Sequence, residues 1–176
     1  VETLVILNNR VVWHQAQGYA DFATKTPLQL NSVYYIQSMT KPIISVAIMQ
    51  LVERGHLALD DPIEMYIPEA KDLRVALNLE QGIDSPTEKA NRSITILDLM
   101  THTSGLSHGL EDNKLDKQLF KELYDETLNY HSHDNLEDRV FKLLSFPLVA
   151  QPGTEWYYSA GADILALIIQ RVSKQS

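Results

Sequence analysis

The sequence predicts a mixed α/β (α+β) protein, with an antiparallel strand pair first and helices through most of the remaining chain. Residues 3–7 and 10–14 are apolar runs of strand length, and Asn8-Asn9 between them tolerates the positive φ of a tight hairpin turn. Beyond residue 42, apolar residues recur at the spacing of helices. We therefore expect strands of a sheet domain in residues 1–36 and a mainly helical subdomain in residues 37–176.

Length, charge and composition limit the classes of function. The chain has 176 residues, of which 44% are hydrophobic, and a net charge of −8, so it is long enough to form a real core. The acidic balance argues against nucleic acid as a partner. The absence of cysteine excludes disulfides and thiolate chemistry. No apolar run reaches membrane-spanning length and no signal peptide is visible, which leaves the compartment open.

The predicted hairpin requires more sheet than this sequence offers. A two-stranded hairpin is not stable alone. Residues 18–21 leave the hairpin, Thr26-Pro27 is expected to begin a loop, and few later segments have a strand pattern. We expect a second stretch of polypeptide, from another chain or from the continuation of this one, to complete the sheet. On its own, the segment 1–176 is then expected not to form an active, soluble monomer.

A long helix is predicted after residue 40. Apolar residues surround most of its circumference, which is typical of a helix buried in the middle of a domain. Pro42 falls in the first turn, where a missing N–H has least effect, and Gly55 suits a left-handed helix end.

Ser38 and Lys41 at the start of this helix form an S-x-x-K pattern. Residues three apart share a helix face, so the amine can reach the hydroxyl. A serine hydroxyl becomes a good nucleophile when a base takes its proton, and a lysine with a depressed pKa can serve. The helix N-terminus favours a developing oxyanion. The alternative is that Ser38 caps the helix and Lys41 is a solvated first-turn residue.

Capping and turn residues predict the later elements. Asp61 followed by Pro62 predicts the cap and first position of a short helix, and residues 71–92 read as an irregular surface excursion. Thr95 and Asp98 form a capping box variant that opens another short helix. Two amphipathic helices with apolar stripes are predicted within residues 111–144, then an extended segment with a turn at Pro152-Gly153, and a final apolar helix over residues 164–172.

A metal site is possible but not favoured. His131-Ser132-His133-Asp134 could ligate a metal, yet it lies in a polar connector where a solvated loop is the simpler interpretation. The sequence therefore predicts no metal site and no cofactor.

Several ordered motifs resemble serine β-lactamases and penicillin-binding proteins, and the chain is most similar to the class C β-lactamase-like esterases called family VIII carboxylesterases. The S-x-x-K segment resembles the first family motif. The other resembling segments follow in the family order: Gly18-Tyr19-Ala20-Asp21, Gly55-His56-Leu57-Ala58-Leu59-Asp60-Asp61-Pro62, Thr101-His102-Thr103-Ser104-Gly105-Leu106, and Pro152-Gly153 with Tyr158-Ser159-Ala160.

The resemblance implies three catalytic residues. Ser38 would be the nucleophile, Lys41 its neighbouring base or hydrogen-bond partner, and Tyr158 the group that moves the proton and activates the deacylating water. A tyrosine can do so if a nearby ammonium favours its phenolate. The alternative for Tyr158 is an aromatic core residue. Tyr157 is adjacent but fits the motif less well, and His102 is interpreted as a structural residue of its turn.

Two departures from the family pattern qualify this resemblance. Ala160 stands where penicillin-recognising members typically carry an asparagine, which weakens the case for a dedicated β-lactamase. The third family motif, of the K-[ST]-G, H-x-G or W-G-G type, does not follow Val172, and the sequence also lacks the helix that normally precedes the hairpin. The resemblance thus implies a β-lactamase-like fold present as a fragment, without the C-terminal part of its sheet.

The predicted function is acyl transfer to Ser38 followed by hydrolysis, most simply of short-chain carboxylic esters. One alternative is a β-lactamase or a peptidase acting on D-amino-acid peptides. An alternative of another class is an inactive binding or regulatory module that keeps the fold without the chemistry, which the missing third motif would favour.

Overall fold

The computed structural model describes residues 1–124 and 135–175. The chain divides into two compact units, Val1–Ser38 and Met39–Ser176, which we call the hairpin unit and the helical unit and describe separately. The predicted mixed α/β (α+β) class is confirmed. The helices are α1 (Thr40–Glu53), α2 (Ile96–Thr101), α3 (Lys114–Leu123), α4 (Leu136–Ser145) and α5 (Gly161–Ser173). The strands are β1 (Glu2–Leu7), β2 (Arg10–Ala16), β3 (Tyr19–Asp21), β4 (Thr26–Pro27), β5 (Arg74–Ala76) and β6 (Thr87–Lys89). Each pairs with its neighbour in the sequence: β1 with β2, β3 with β4, and β5 with β6.

The hairpin unit contains the predicted antiparallel pair β1 and β2. Asn8 and Asn9 have φ values of 49° and 58°, as the sequence predicts for the turn between them. The prediction that Thr26-Pro27 begins a loop is wrong, because these residues form β4 and pair with β3. The carboxylate of Asp21 accepts the N–H groups of Ala23 at 2.7 Å and Thr24 at 3.0 Å. This turn reverses the chain so that β4 pairs with β3.

Apolar side chains on both faces of the β1–β2 hairpin are about half exposed. Their exposed fractions lie between 45% and 63% in the following residues: Leu4, Val5, Ile6, Leu7, Val11, Val12 and Trp13. Contiguous apolar surface of this kind usually meets another element of structure.

Helix α1 is less buried than its all-round apolar sequence predicts. Ile48 and Leu51 are buried on the face that packs against α5, whereas Ile43 and Val46 are 59% and 58% exposed. The prediction of a fully buried helix is therefore wrong for the described part of the chain, which covers only one face of α1.

The C-terminal end of α1 is the predicted glycine stop. Gly55 has a φ of 71°. The N–H of His56 donates to the carbonyl of Leu51, and that of Gly55 donates to the carbonyl of Val52, both at 2.9 Å. These two bonds form a Schellman motif.

Short 3₁₀ turns connect the next elements: Ile63–Met65, Pro68–Ala70 and Leu79–Asp84. The first is the short helix predicted after Asp61, but Pro62 occupies its extended N-cap position rather than its first helical position. The carboxylate of Asp61 does not cap it. It accepts the Ala58 N–H at 2.7 Å and the Tyr66 hydroxyl at 2.5 Å.

Residues 71–92 are more ordered than the predicted surface excursion. They contain the antiparallel pair β5 and β6, and Val75 and Ala76 of β5 are buried. The segment at Leu148 extends this pair. Its N–H donates to the Arg74 carbonyl at 2.8 Å and its carbonyl accepts the Ala76 N–H at 2.9 Å. This partner lies some 70 residues away in the sequence, so local patterns do not reveal it.

The remaining helices follow their predicted apolar stripes. The buried apolar positions of α3 are Leu115, Leu119 and Leu123, and those of α4 include Val140, Leu143 and Leu144. Helix α5 buries Ile164, Leu165 and Ile168 in the common core of the helical unit. The predicted stripe residue Leu128 and the connector at His131 to Asp134 lie outside the described residues.

Across the described parts of the chain, no helix has both the length and the apolar character that crossing a bilayer requires.

Candidate active site

Lys41 and Tyr158 come together in the helical unit. Lys41 lies in the first turn of α1, and Tyr158 lies three residues before α5 begins. Because α1 packs against α5, the Lys41 Nζ atom lies 4.7 Å from the centre of the Tyr158 ring. A cation at this distance lies within the range of a cation–π contact with the ring.

Two histidines flank the Tyr158 ring. The His102 ring lies 4.8 Å from it, centre to centre, and is tilted by 36°. The His108 ring lies 5.3 Å from it and is nearly parallel, at 8°. The exposed Trp156 ring lies 6.4 Å away. Tyr158 therefore stands in a cluster of aromatic and imidazole rings with one lysine beside it.

His102 fixes the backbone on either side of Tyr158. Its Nδ1 atom accepts the N–H of Ser159 at 3.1 Å, and its carbonyl accepts the N–H of Tyr157 at 2.8 Å. His102 itself adopts a left-handed conformation, with a φ of 58°, at the end of α2. Because Nδ1 is an acceptor, a neutral ring carries its proton on Nε2. These contacts support the structural role predicted for His102.

The turn that carries His102 is anchored by Asp98. Thr95 and Asp98 form the predicted capping box of α2. Arg92 donates two hydrogen bonds to the Asp98 carboxylate, at 2.6 and 2.9 Å, and Thr103 donates a further one at 3.2 Å. Burial raises the pKa of Asp98, but the hydrogen bonds from Arg92 and Thr95 outweigh it, so the net shift is downward. Asp98 remains ionised and holds the turn in place.

Both histidines beside Tyr158 favour the neutral state. Burial lowers the pKa of His102, and the positive charge of Lys41 lowers it further. Burial is also the main cause that lowers the pKa of His108. There the charges of Lys41 and His102 add to it, while a backbone hydrogen bond and the carboxylate of Asp116 oppose it. At neutral pH the two imidazoles therefore add no positive charge beside Lys41.

Tyr157 differs from Tyr158 in its electrostatic surroundings. Burial raises the pKa of Tyr157, and the carboxylates of Asp116, Glu111 and Glu155 raise it further. A phenol in this environment keeps its proton, so Tyr157 is poorly suited to act as a base.

Ser38 is exposed and lies in the 3₁₀ turn Gln37–Met39, immediately before α1. Met39 rather than Ser38 occupies the N-cap position of α1. Only Met39 and Thr40 separate Ser38 from Lys41 along the chain. The alternative interpretation of Ser38 as the helix cap is therefore wrong, because the chain forms one more 3₁₀ turn before α1 begins.

Ala160 occupies the N-cap position of α5 and is 2% exposed. It belongs to the apolar core, and its N–H donates to the carbonyl of Ser107 at 3.2 Å. An asparagine side chain at this position would bury an amide among apolar groups of the described chain.

The contribution of His108 was not predicted from the sequence. A signal was present, because Ser107-His108-Gly109 follows the turn directly and places a histidine between two turn-forming residues. The ring contacts that bring it to Tyr158 depend on the tertiary packing, which the local sequence does not show.

Comparison with known proteins identifies the family. The sequence matches the Beta-lactamase family over residues 1–176. The chain belongs to the Beta-lactamase family. Esterase EstB from Burkholderia gladioli is 30% identical, and the match covers 98% of this chain and 40% of that protein. Lovastatin esterase from Penicillium rubens is 33% identical, over 92% of this chain and 39% of that protein.

A solved structure confirms the fold of this Beta-lactamase family chain. The structure of EstCE1, described as a hydrolase with promiscuous acyltransferase activity, superposes with a TM-score of 0.76 at 26% identity. The match covers 99% of this chain and 42% of EstCE1. The chain thus spans about two-fifths of the length of these relatives, as expected for the N-terminal part of a β-lactamase-like fold.

Metal-binding groups were sought among the described side chains. Residues 1–124 and 135–175 contain no group of three or more histidine, aspartate or glutamate side chains arranged to hold a metal ion. The His131-Ser132-His133-Asp134 segment lies between these ranges.

Proposed function

We propose that the whole protein is a serine hydrolase that forms an acyl-enzyme on Ser38 and acts on short-chain carboxylic esters. The observation that carries the proposal is the Lys41 Nζ atom, 4.7 Å from the centre of the Tyr158 ring. Ser38 lies in the turn Gln37–Met39, two residues before α1 begins, and we assign it the role of nucleophile.

In the acylation step, the Ser38 oxygen attacks the ester carbonyl while Tyr158, as a phenolate stabilised by Lys41, accepts the hydroxyl proton. The carbonyl carbon becomes tetrahedral. The C–O bond to the alcohol then breaks, and Tyr158 returns the proton to the leaving oxygen. The products of this step are the free alcohol and an acyl ester on Ser38.

In the deacylation step, water attacks the acyl carbonyl and gives its proton to Tyr158. The bond between the acyl carbon and the Ser38 oxygen breaks, and Tyr158 protonates that oxygen. The carboxylic acid leaves and the enzyme returns to its starting state. General base catalysis of this kind contributes about 10²–10⁴-fold to the rate.

An ester substrate is favoured over a lactam by two observations. Ala160 offers no amide to hold a lactam side chain, and its side chain lies in the apolar core. Two similar proteins bear the name esterase, namely EstB and lovastatin esterase. A lactam or a D-amino-acid peptide remains the alternative substrate class, and an inactive binding module remains the alternative without chemistry.

The test compares kcat/KM for p-nitrophenyl acetate or butyrate with kcat/KM for a chromogenic cephalosporin in the whole protein. We expect the esters to be the better substrates. The variants Ser38→Ala, Lys41→Ala and Tyr158→Phe should each lose about 10²–10⁴-fold in kcat. Tyr157→Phe, which removes the hydroxyl of the adjacent residue, is the matched control and should retain activity.

Three other results would change the proposed substrate, nucleophile or activity. Faster turnover of the cephalosporin would replace the proposed ester substrate with a lactam. Turnover that survives Ser38→Ala would overturn the nucleophile, and no turnover of any acyl substrate by the folded protein would favour the binding module.

A further inference from the structure

We infer that His108 is a positioning residue that holds the Tyr158 ring against Lys41 through a stack of three rings, an inference that rests on the proposed function. The rings of Tyr124, His108 and Tyr158 follow one another at 5.5 Å and 5.3 Å, centre to centre. Both pairs are nearly parallel, at 7° and 8°. These separations lie in the range at which offset aromatic pairs attract each other.

The far end of the stack is fixed in the core. Tyr124 is 8% exposed and packs against Phe120, with a ring separation of 5.1 Å. Its hydroxyl forms a hydrogen bond with Nδ1 of His108. His108 is therefore held both by stacking and by a directed bond, and its ring presents a fixed flat surface to Tyr158.

The backbone at His108 is fixed by the residues on either side of it. The Ser107 hydroxyl donates to the carboxylate of Asp116, which is fully buried, and accepts the Gly109 N–H at 3.0 Å. Asn113 donates to the other oxygen of the same carboxylate at 2.6 Å. This buried cluster leaves the His108 backbone little freedom.

Close packing adds to this restraint. Gly109 has a φ of 79°, and a Cβ atom at this position would lie 2.8 Å from the Phe120 nitrogen. The carbonyl of Ser107 also accepts the N–H of Ala160, two residues beyond Tyr158. The loop that carries His108 is thus joined both to α3 and to the segment that carries the proposed catalytic tyrosine.

The protonation state of His108 affects the site because the His108 ring and the Lys41 amine both contact the Tyr158 ring. The charged or titratable groups that face His108 are Lys41, His102, Asp116, Tyr124 and Tyr158. Burial and the nearby positive charges lower its pKa, so the ring that stacks on Tyr158 is neutral at neutral pH. Protonation of His108 would place a second cation beside Lys41, and repulsion between the two like charges would weaken the contact of Lys41 with the Tyr158 ring.

A positioning role makes a specific kinetic prediction. Misplacement of a reacting group by about 1 Å can reduce the rate about 10²-fold without weakening substrate binding. In the whole protein, His108→Leu should lower kcat about 10-fold or more with KM almost unchanged. His108→Phe, which keeps a flat stacking ring, should restore kcat to within about threefold of the wild type.

The pH profile provides the second readout. In His108→Phe, the decline of kcat/KM below about pH 6.5 should move to lower pH, because one titrating group beside Tyr158 has been removed. If His108→Leu fails to fold, Tyr124→Phe applies the same test, because it removes only the hydroxyl that holds His108, and a drop of kcat of about threefold or more is then expected.

The controls separate this inference from the proposed function. If Tyr158→Phe keeps full ester turnover, the proposed role of Tyr158 fails and the inference falls with it. If Tyr158→Phe is inactive but the Leu and Phe variants of His108 keep the wild-type kcat, only the inference is overturned. Equal losses in both His108 variants, with an unchanged pH profile, would also overturn it, since they would indicate a purely structural residue.

Discussion

At the scale of single residues, the neighbours of Tyr158 set the charge and geometry of the candidate site. Lys41 lies over its ring, and the neutral rings of His102 and His108 lie beside it. Lys41 therefore places a positive charge at this ring, and the neutral histidines contribute geometry rather than charge. Burial raises the pKa of Tyr157, one residue away, and the charges of three carboxylates raise it further. Adjacent tyrosines thus differ in chemistry because of their neighbours.

The lowered pKa of His108 predicts a dependence of stability on pH. Its pKa in the folded protein lies below the unfolded value of 6.5, so near that pH the unfolded state binds more protons. The stabilising contribution is therefore complete above 6.5 and decreases as the pH falls toward the folded pKa. Melting temperatures at about pH 8 and about pH 5.5 should differ more in the wild type than in His108→Phe.

Other groups do not obscure this measurement. Asp61 and Asp98 have lowered pKa values, so their contributions are present above the unfolded value of 3.8 and decrease only as the pH falls below it. Histidines that are not coupled electrostatically to His108 affect the wild type and the variant equally. Identical differences in melting temperature for the two proteins would contradict the assignment of a neutral, half-buried His108.

At the scale of elements, local chemistry predicts ends and turns well. The Asn8-Asn9 turn, the Gly55 stop and the capping box of Thr95 and Asp98 are each made by residues within a few positions of one another, and all are present. Strand β5 was not predicted; it pairs with β6 and also with Leu148, and the second of these partners is remote in sequence. The sequence predicts too much burial for α1. An apolar face indicates that a helix packs against another element, but it does not indicate whether the described chain contains that element.

The residues of the candidate site likewise divide into those that sequence motifs predict and those that depend on tertiary packing. Motif residues predicted Ser38, Lys41 and Tyr158 as a group, and packing of α1 against α5 brings Lys41 to Tyr158. The two flanking imidazoles depend on the turn at His102 and the loop at His108, whose positions are set by buried carboxylates at Asp98 and Asp116. Such second-layer contacts have no short sequence signature.

Two glycines provide a matched test of the turn that carries His102. Gly55 and Gly105 have similar φ values of 71° and 78°. A Cβ atom at Gly55 would meet nothing within 4 Å, whereas one at Gly105 would lie 2.1 Å from the Ala150 carbonyl oxygen. Gly55→Ala should lower the free energy of unfolding by about 1–2 kcal/mol through strain alone. Gly105→Ala should cost a further 1–3 kcal/mol or so through overpacking.

The measurement is denaturant unfolding of both variants beside the wild type. Because backbone strain is common to the two substitutions, their difference isolates the close approach of residue 105 to Ala150. Equal losses in the two variants would show that the turn does not pack against that carbonyl.

At the scale of the whole molecule, the hairpin unit and α1 both carry apolar surface that the described residues leave exposed. The affected side chains of β1 and β2 are about half exposed on both faces of the hairpin, and Ile43 and Val46 are similarly exposed on α1. The chain spans about two-fifths of the length of its relatives EstB and EstCE1. Exposed strand edges with apolar faces are typical sites of association.

This surface predicts the behaviour of the isolated segment. Residues 1–176 expressed alone should associate or aggregate and should lack the esterase rate of the whole protein, because among the described residues no further strand pairs with the β1–β2 hairpin. Light scattering and p-nitrophenyl ester hydrolysis check the prediction. A monodisperse, cooperatively melting monomer with full activity would contradict it.

The central claim is that Ser38 is the nucleophile, and acylation of the whole protein by a fluorophosphonate probe tests it most directly. Peptide mapping by mass spectrometry should find the label on Ser38. Ser38→Ala should abolish labelling, whereas Ser45→Ala, a serine two turns further along α1, should retain it. Label on a different serine, or no label on a folded protein, would contradict the account.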